Sequence, residues 1–139
     1  MTWDRLLDTR NARSILNANI SLTNHVRQSA ALGGFICGCF QSDIDLIRQS
    51  LVDFLIEPQR ASLVPGFADV KAAALEQGAL GASFSGSGPT LFALVTSESE
   101  ATRVREAMEH AFRANGLAEV DSWISPVNRQ GARIIDEVS

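Results

Sequence analysis

The stretch GALGASFSGSGPTLFAL, residues 78–94, decides how this chain folds. Its two apolar runs, 79–86 and 90–96, are short and bounded by glycine, which is typical of buried strands. Residues 81–90, which include the end of the first run and lead into the second, hold three glycines and three serines. We therefore expect two paired strands joined by a glycine-rich loop.

The glycine-rich loop has the composition of an anion site, because glycine permits the positive-φ backbone that a nest of N–H groups needs. The established phosphate-loop patterns do not fit it. Ser87 and Gly88 stand where a P-loop requires Lys and Ser or Thr, and Leu91 stands where a dinucleotide motif requires its third glycine. Spacing alone leaves a phosphate site and a plain tight hairpin both open.

Four helices are predicted before the hairpin. Capping and helix-breaking residues set their bounds. The first helix runs from Asp8 or Thr9 to about Leu16, and the second begins at Ser21 or Thr23. The third runs from Ser42 or Asp43 to before Pro58, and the fourth from Gly66 to near Gly78. The segment between the last two, EPQRASLVPGF (57–67), reads as a structured loop. The second helix has an apolar face that we expect to be packed: Leu22, Val26, Ala30, Gly33, Cys37 and Phe40. Its several glycines favour a close approach of another backbone.

After the hairpin, residues 97–116 predict an amphipathic helix whose apolar stripe holds Ala101, Val104, Met108, Ala111 and Phe112. AEVDSWISPV (118–127) and GARIIDEV (131–138) then read as two final strands. Helices followed by strand–strand–helix–strand–strand do not make a parallel doubly wound sheet. The order predicts one α+β domain over residues 1–139, an antiparallel sheet covered by helices.

The amino-acid composition argues against several classes of function. The 139 residues carry a net charge of −4, and their twelve basic residues are scattered among sixteen acidic ones, so nucleic acid is not an expected partner. No apolar run approaches the ~20 residues that span a bilayer, and no signal peptide is recognisable, so we expect a cytoplasmic protein. Cys37 and Cys39 are expected to be buried or half-buried free thiols. We expect no metal site.

The sequence resembles the GHMP kinase superfamily. Residues 78–94 are similar to that family's third conserved motif, a glycine-rich loop beside the nucleotide phosphates. Residues 55–90, TRNARSIL (9–16) and QGARII (130–135) resemble the homoserine kinase branch, and the similarity runs from about Asp8 to Val138. The resemblance implies the carboxyl-terminal GHMP fold, which is ferredoxin-like in shape.

The resemblance also implies site residues. Arg13 and Arg60 match two arginines that hold the carboxylate of L-homoserine, and Thr9 matches a threonine near its hydroxyl. The loop residues that would support the phosphates are Ser85, Gly86, Ser87, Gly88, Pro89 and Thr90. The residues alone leave the arginines open as solvated surface charges and Thr9 as a helix N-cap. Glu57 and Asp69 are assigned only loop and helix-surface roles.

In that family the main phosphate loop and the magnesium-binding acids belong to an amino-terminal domain, and no such segment occurs here. We therefore expect a separated domain, from a cloned piece or a split gene, that is inactive alone and holds no catalytic residue, metal or tightly bound cofactor. The full-length enzyme would use ATP and Mg²⁺ to phosphorylate homoserine for threonine synthesis.

Three questions stay open at this level. The substrate of a related GHMP kinase could resemble mevalonate or a sugar, although a neutral sugar needs no arginine pair. A non-catalytic module for amino-acid binding or dimerisation is a further reading. Whether the chain forms a homodimer is also undecided.

Overall fold

The computed structural model describes residues 9–132, with side chains from residue 12 onward. The predicted hairpin is confirmed in shorter form. Strands β1 (Gly81–Phe84) and β2 (Leu91–Leu94) pair antiparallel, with Gly81 opposite Leu94 and Phe84 opposite Leu91. This pairing fixes residues 85–90 as the turn at one end of the β1–β2 pair.

The core lies where helices α5 (Phe67–Glu76) and α6 (Glu98–Ala114) pack together and α5 contacts β1. Both helices bury the faces that their apolar periodicity predicts, with Phe67, Val70 and Ala74 on α5 and Val104, Met108 and Phe112 on α6. Ser97 caps α6 through a reciprocal bond pair with Glu100, a capping box that satisfies donors at the helix start. The buried cluster comprises Val64, Phe67, Val70, Ala74, Ala79, Ala82, Leu91, Val104, Met108 and Phe112.

Helices α2 (Leu22–Gln41) and α3 (Ile44–Ser50) form a second packed pair, and the caps Ser21 and Asp43 are as predicted. The predicted packed face of α2 is wrong. The large apolar residues of that face, Leu22, Val26 and Phe40, are exposed, and α2 meets α3 through Gly34 and Gly38. A methyl group on Gly38 would lie 2.9 Å from Ile47 Cγ1, so the backbones approach closely at that point.

The short helices flank this framework. Helix α1 (Thr9–Ser14) ends earlier than predicted, and the segment read as a loop contains helix α4 (Glu57–Arg60), followed by a 3-10 turn over Ala61–Leu63. Pro58 fits in the first turn of α4, because the amide hydrogen that it lacks has no partner inside a helix there. Proline is therefore part of the first turn of this helix instead of preventing a helix.

The first of the two predicted final strands is not formed. Residues 118–127 form no regular strand, and only Asp121 makes an isolated bridge. Most of the second predicted strand, residues 133–138, lies outside the described residues, as does Asp8. Cys37 and Cys39 are free, as predicted, but exposed instead of buried. Within residues 9–132 no helix has both the length and the apolar character needed to cross a membrane.

Candidate substrate and phosphate site

The glycine-rich loop is a tight turn that its own backbone closes. The Ser85 amide donates to the Thr90 carbonyl at 2.8 Å, and the Gly88 amide donates to the Ser85 carbonyl at 3.3 Å. Gly86 and Gly88 have φ of 66° and 82°, which side-chain-bearing residues rarely adopt. The turn geometry thus depends on glycine at both positions.

This turn leaves amides available for a ligand. Among the hydrogen bonds of the described residues, none is donated by the Gly86 or Ser87 amide. Gly86 is exposed and Ser87 is half-buried. Consecutive amides at a positive-φ glycine are the elements of an anion nest. The loop can therefore offer two N–H donors to a phosphate oxygen.

The loop rests on an aromatic stack. The Phe84 ring stacks on that of Phe67, with centroids 4.5 Å apart and planes 10° from parallel, which joins the end of β1 to the start of α5. A methyl group added to Gly88 would lie 3.2 Å from the Phe84 ring. The base of the loop is therefore held against the core.

Arg60 connects the loop with helix α1. Its side chain is buried at the end of α4, and its Nε donates to the Ala12 carbonyl at 3.0 Å while Nη1 donates to the Gly86 carbonyl at 3.3 Å. A surface role is thus excluded for Arg60. Nη2 makes no hydrogen bond within the described part of the chain, so one edge of the guanidinium is left for a ligand.

The other two residues predicted to bind substrate belong to α1. Arg13 is exposed in the last turn of that helix, directly after Ala12, whose carbonyl Arg60 binds. Thr9 begins α1, and its side chain lies outside the described portion. The Asn17 amide also donates to Gln59 Oε1 at 2.7 Å, a second link between the α1 region and α4. The fold therefore brings the backbone beside Arg13, the Arg60 side chain and the glycine-rich loop together.

Sequence reasoning missed Glu57. The loop role assigned to it is wrong: Glu57 begins helix α4, its side chain is only 12% exposed, and its carboxylate binds Lys71 Nζ and accepts from Ser83 Oγ at 2.7 Å. Asp69 does lie at the surface, where it accepts from Asn115 Nδ2 at 3.0 Å. In the sequence, only its position one helical turn before Arg60 pointed to Glu57. Its partners Lys71 and Ser83 lie 14 and 26 residues away, so no local pattern indicates these contacts.

Carboxylates with perturbed pKa values lie away from this region. Hydrogen bonds from Thr96 lower the pKa of Glu100, and the Ser122 hydroxyl, followed by Arg113, lowers the pKa of Glu109. Both carboxylates belong to α6. No group of three or more His, Cys, Asp or Glu side chains with metal-binding geometry occurs in residues 12–132.

Comparison with known proteins gives these features a context. The family model for the carboxyl-terminal domain of GHMP kinases matches residues 31–114, more than half of the chain. That range includes α4, the glycine-rich loop and both core helices.

Individual relatives agree with the family match. The chain is 50% identical over 128 residues to a homoserine kinase of Chlorobium phaeobacteroides. It is 46% identical over 127 residues to a homoserine kinase of Chloroherpeton thalassium. Each alignment covers 91% of this chain and 40% of the relative. The crystal structure of a homoserine kinase from Cytophaga hutchinsonii is similar at a TM-score of 0.78 and 45% identity, over 80% of this chain and 35% of that one. This chain thus spans about 40% of the length of the curated relatives that it matches.

Proposed function

This chain belongs to the GHMP kinase family, and we propose that it forms the substrate-side domain of an ATP-dependent homoserine kinase. The observation that carries the proposal is the placement of Arg60. Its buried guanidinium lies between α1, which holds Arg13, and the loop that offers free amides. A carboxylate-binding region and a phosphate-binding region therefore adjoin at one side chain.

In the proposed reaction the side-chain hydroxyl of L-homoserine attacks the γ-phosphorus of ATP. The new O–P bond forms as the bond from that phosphorus to the bridging oxygen of ADP breaks, and the hydroxyl proton is released. Such transfers depend mainly on positioning and on neutralising charge around the phosphoryl group. The products are ADP and O-phosphohomoserine, an intermediate for threonine synthesis, and the enzyme would act in the cytoplasm.

In this proposal the two arginines have different roles. Arg13 is exposed and can present two parallel N–H groups to the substrate carboxylate. Arg60 uses Nε and Nη1 on backbone carbonyls, so it would add one contact through Nη2. Thr9 would lie near the hydroxyl, and the Gly86 and Ser87 amides would face phosphate oxygens within the loop formed by residues 85–90.

Magnesium and most of the nucleotide contacts are assigned to the part of the longer kinases that this chain does not span. ATP brings the phosphoryl group, and the bound metal would offset its negative charge. Accordingly, the 139-residue chain alone is expected to show no homoserine-dependent ATP consumption in a coupled assay. Turnover on the order of 1–100 s⁻¹, ordinary for kinases, would contradict this division.

The carboxylate clamp is tested in a chimaera that joins this chain to the remainder of the Chlorobium phaeobacteroides kinase. Arg13→Ala should lower kcat/KM for homoserine about ten- to a hundredfold, since a hydrogen bond to a charged group contributes ~1.5–3 kcal/mol. The KM for ATP should stay nearly unchanged. Lysine should rescue in part, because it keeps the charge but loses the planar fork.

Two controls separate a clamp from a general defect. Homoserinol, which lacks the carboxylate, should be phosphorylated equally by wild type and Arg13→Ala. Arg129→Ala removes another exposed arginine far along the chain and should change neither KM. Equal loss toward both alcohols, or a change in the ATP constant alone, would refute the role of Arg13. Arg60→Ala should show the same substrate pattern together with lower stability, because Arg60 also holds α1 and the loop.

A further inference from the structure

The Glu57 carboxylate joins three elements at one point. Glu57 is the first residue of α4, its partner Lys71 belongs to α5, and its other partner Ser83 belongs to β1. The ion pair is largely shielded from solvent, with Lys71 only 22% exposed. Removing one member of such a pair leaves the other charge poorly compensated, so these contacts strongly favour one position of α4.

Helix α4 needs this external support. It has four residues, far fewer than the ~12–15 that an isolated helix needs for marginal stability in water. Asp53 caps its start by accepting from the amides of Leu55 and Ile56 at 2.8 Å and of Glu57 at 3.1 Å. Asp53 orders the first turn locally, whereas the Glu57 carboxylate fastens that turn to α5 and β1.

Arg60 lies one helical turn after Glu57, at the other end of the same four-residue helix. Its two bonds to backbone carbonyls, at 3.0 and 3.3 Å, have little tolerance for a shift of α4, because hydrogen bonds weaken steeply as distance and angle depart from their optimum. The place of the guanidinium is thus set at both ends of α4.

We propose that Glu57 is a positioning residue that fixes Arg60 for substrate binding through its bonds to Lys71 and Ser83. The inference rests on the proposed function for its kinetic consequence, but its structural part is independent of catalysis. Glu57 itself touches neither substrate nor nucleotide in this scheme. Its contribution is to keep the free edge of Arg60 aligned before substrate arrives.

The test compares Glu57→Gln with Glu109→Gln in the chimaera described above. Glu109 is a suitable control, because it also binds a serine hydroxyl, Ser122 at 2.6 Å, and is paired with cations, Arg113 at 2.9 Å and Arg105 at 3.8 Å, but lies on α6 away from α4. In both variants the amide keeps the size of the side chain and an acceptor for the serine, while the charge is lost.

The first measurement is hydrogen exchange of the Arg60 Nε–H by NMR, assigned by its loss in Arg60→Lys. This hydrogen is buried and bonded to the Ala12 carbonyl, so wild type should exchange it slowly. Glu57→Gln should accelerate the exchange at least severalfold, and Glu109→Gln should not. Equal exchange rates in wild type and Glu57→Gln would overturn the proposal whether or not the chimaera phosphorylates homoserine.

The second measurement is the KM for homoserine. Glu57→Gln should raise it about tenfold with kcat and the ATP constant nearly unchanged, since a misplacement on the order of 1 Å can cost up to ~100-fold. Lys71→Met should have the same effect, and the double variant should add little, because the two residues act through one contact. Fast Arg60 exchange without a rise in KM would overturn the kinetic role alone, and an inactive wild-type chimaera would refute the proposed function instead.

A milder variant keeps the proposal testable if Glu57→Gln does not fold. Ser83→Ala keeps the ion pair and removes one hydrogen bond, so it should shift Arg60 exchange and the KM for homoserine in the same directions by smaller factors. If Glu57→Gln does not fold, these shifts decide the question. No change in Ser83→Ala would then count against the proposal.

Discussion

Helices α2 and α6 both carry an apolar stripe at helical spacing, yet the molecule uses them in opposite ways. In α6 the stripe is the core, and Phe112 is 1% exposed. In α2 the stripe is exposed, and Phe40, the last large residue on it, is 88% exposed. The packed side of α2 is instead the one that carries Gly34 and Gly38.

The difference shows that periodicity identifies a face but not what covers it. Helix α6 is held by large side chains that interdigitate with α5 and the sheet, which buries much apolar area. Helix α2 is held by a close backbone approach to α3, for which small residues are needed. The four predictions below test this contrast.

The largest effect is expected from truncating the two phenylalanines. Phe112→Ala should lower the free energy of unfolding by about 3–5 kcal/mol, the cost of removing a core aromatic side chain and leaving a cavity. Phe40→Ala should stay within about 0.5 kcal/mol, as at ordinary surface positions. Urea unfolding of the chain measures both. Comparable losses would mean that the α2 stripe is covered in solution.

The glycines of α2 should respond with opposite signs. Gly38→Ala should cost about 1–3 kcal/mol, because the added methyl would lie 3.0 Å from the Ile47 backbone nitrogen, where the neighbour cannot easily move. Gly33→Ala meets nothing within 4 Å and should gain up to about 1 kcal/mol from helix propensity. The same unfolding experiment checks the pair, and a gain from Gly38→Ala would remove the argument for close packing.

These two contrasts also show how far sequence alone reaches. Local signals predicted the hairpin, the caps Ser21 and Asp43, and the buried stripes of α5 and α6, because each of them depends on residues near in the chain. They placed the packed face of α2 wrongly, since the choice of face depends on α3 and on Gly34 and Gly38 together. They also predicted a strand at 118–127 where the chain makes one isolated bridge.

In the candidate site, too, local features were predicted and long-range contacts were not. The glycine-rich loop was predicted from its own ten residues. The bond from Arg60 to the Ala12 carbonyl spans 48 positions and that from Ser83 to Glu57 spans 26, so neither leaves a local pattern. The resemblance to a known family singled out Arg60 but not Glu57. Whether Thr9, Arg13 and Arg60 bind substrate remains a prediction.

The N-caps give a smaller contrast. Ser97→Ala should lower global stability by about 1 kcal/mol, since it breaks the capping box of a core helix. Ser21→Ala loses the bond to the Asn24 amide, at 3.2 Å, in an exposed first turn. That loss should appear as faster local amide exchange near Asn24 with little change in global unfolding. Equal global losses would place the start of α2 within the main cooperative unit.

The smallest effect is a pH dependence confined to α6, because α2 has no carboxylate. The Ser122 hydroxyl and then Arg113 hold the pKa of Glu109 below its ordinary value. The stabilisation is therefore complete above the unfolded pKa, about 4.3, and is lost as pH falls through the lower folded pKa. Glu109→Gln should flatten the fall in unfolding free energy between about pH 5 and pH 3. If the unfolding free energy of Glu109→Gln falls with pH as steeply as that of wild type, other carboxylates cause the fall.

Lys71 is the only lysine among the 139 residues, and it is the one whose ammonium is paired with Glu57. The Lys71 side chain is only 22% exposed, so an amine-directed reagent reaches its nitrogen mainly when the ion pair with Glu57 opens. A brief pulse of acetylating reagent would thus place at most one side-chain label on a lysine of this chain. The rate at which the peptide containing Lys71 gains that mass would report how often α4 leaves the core, without any probe being introduced by mutation.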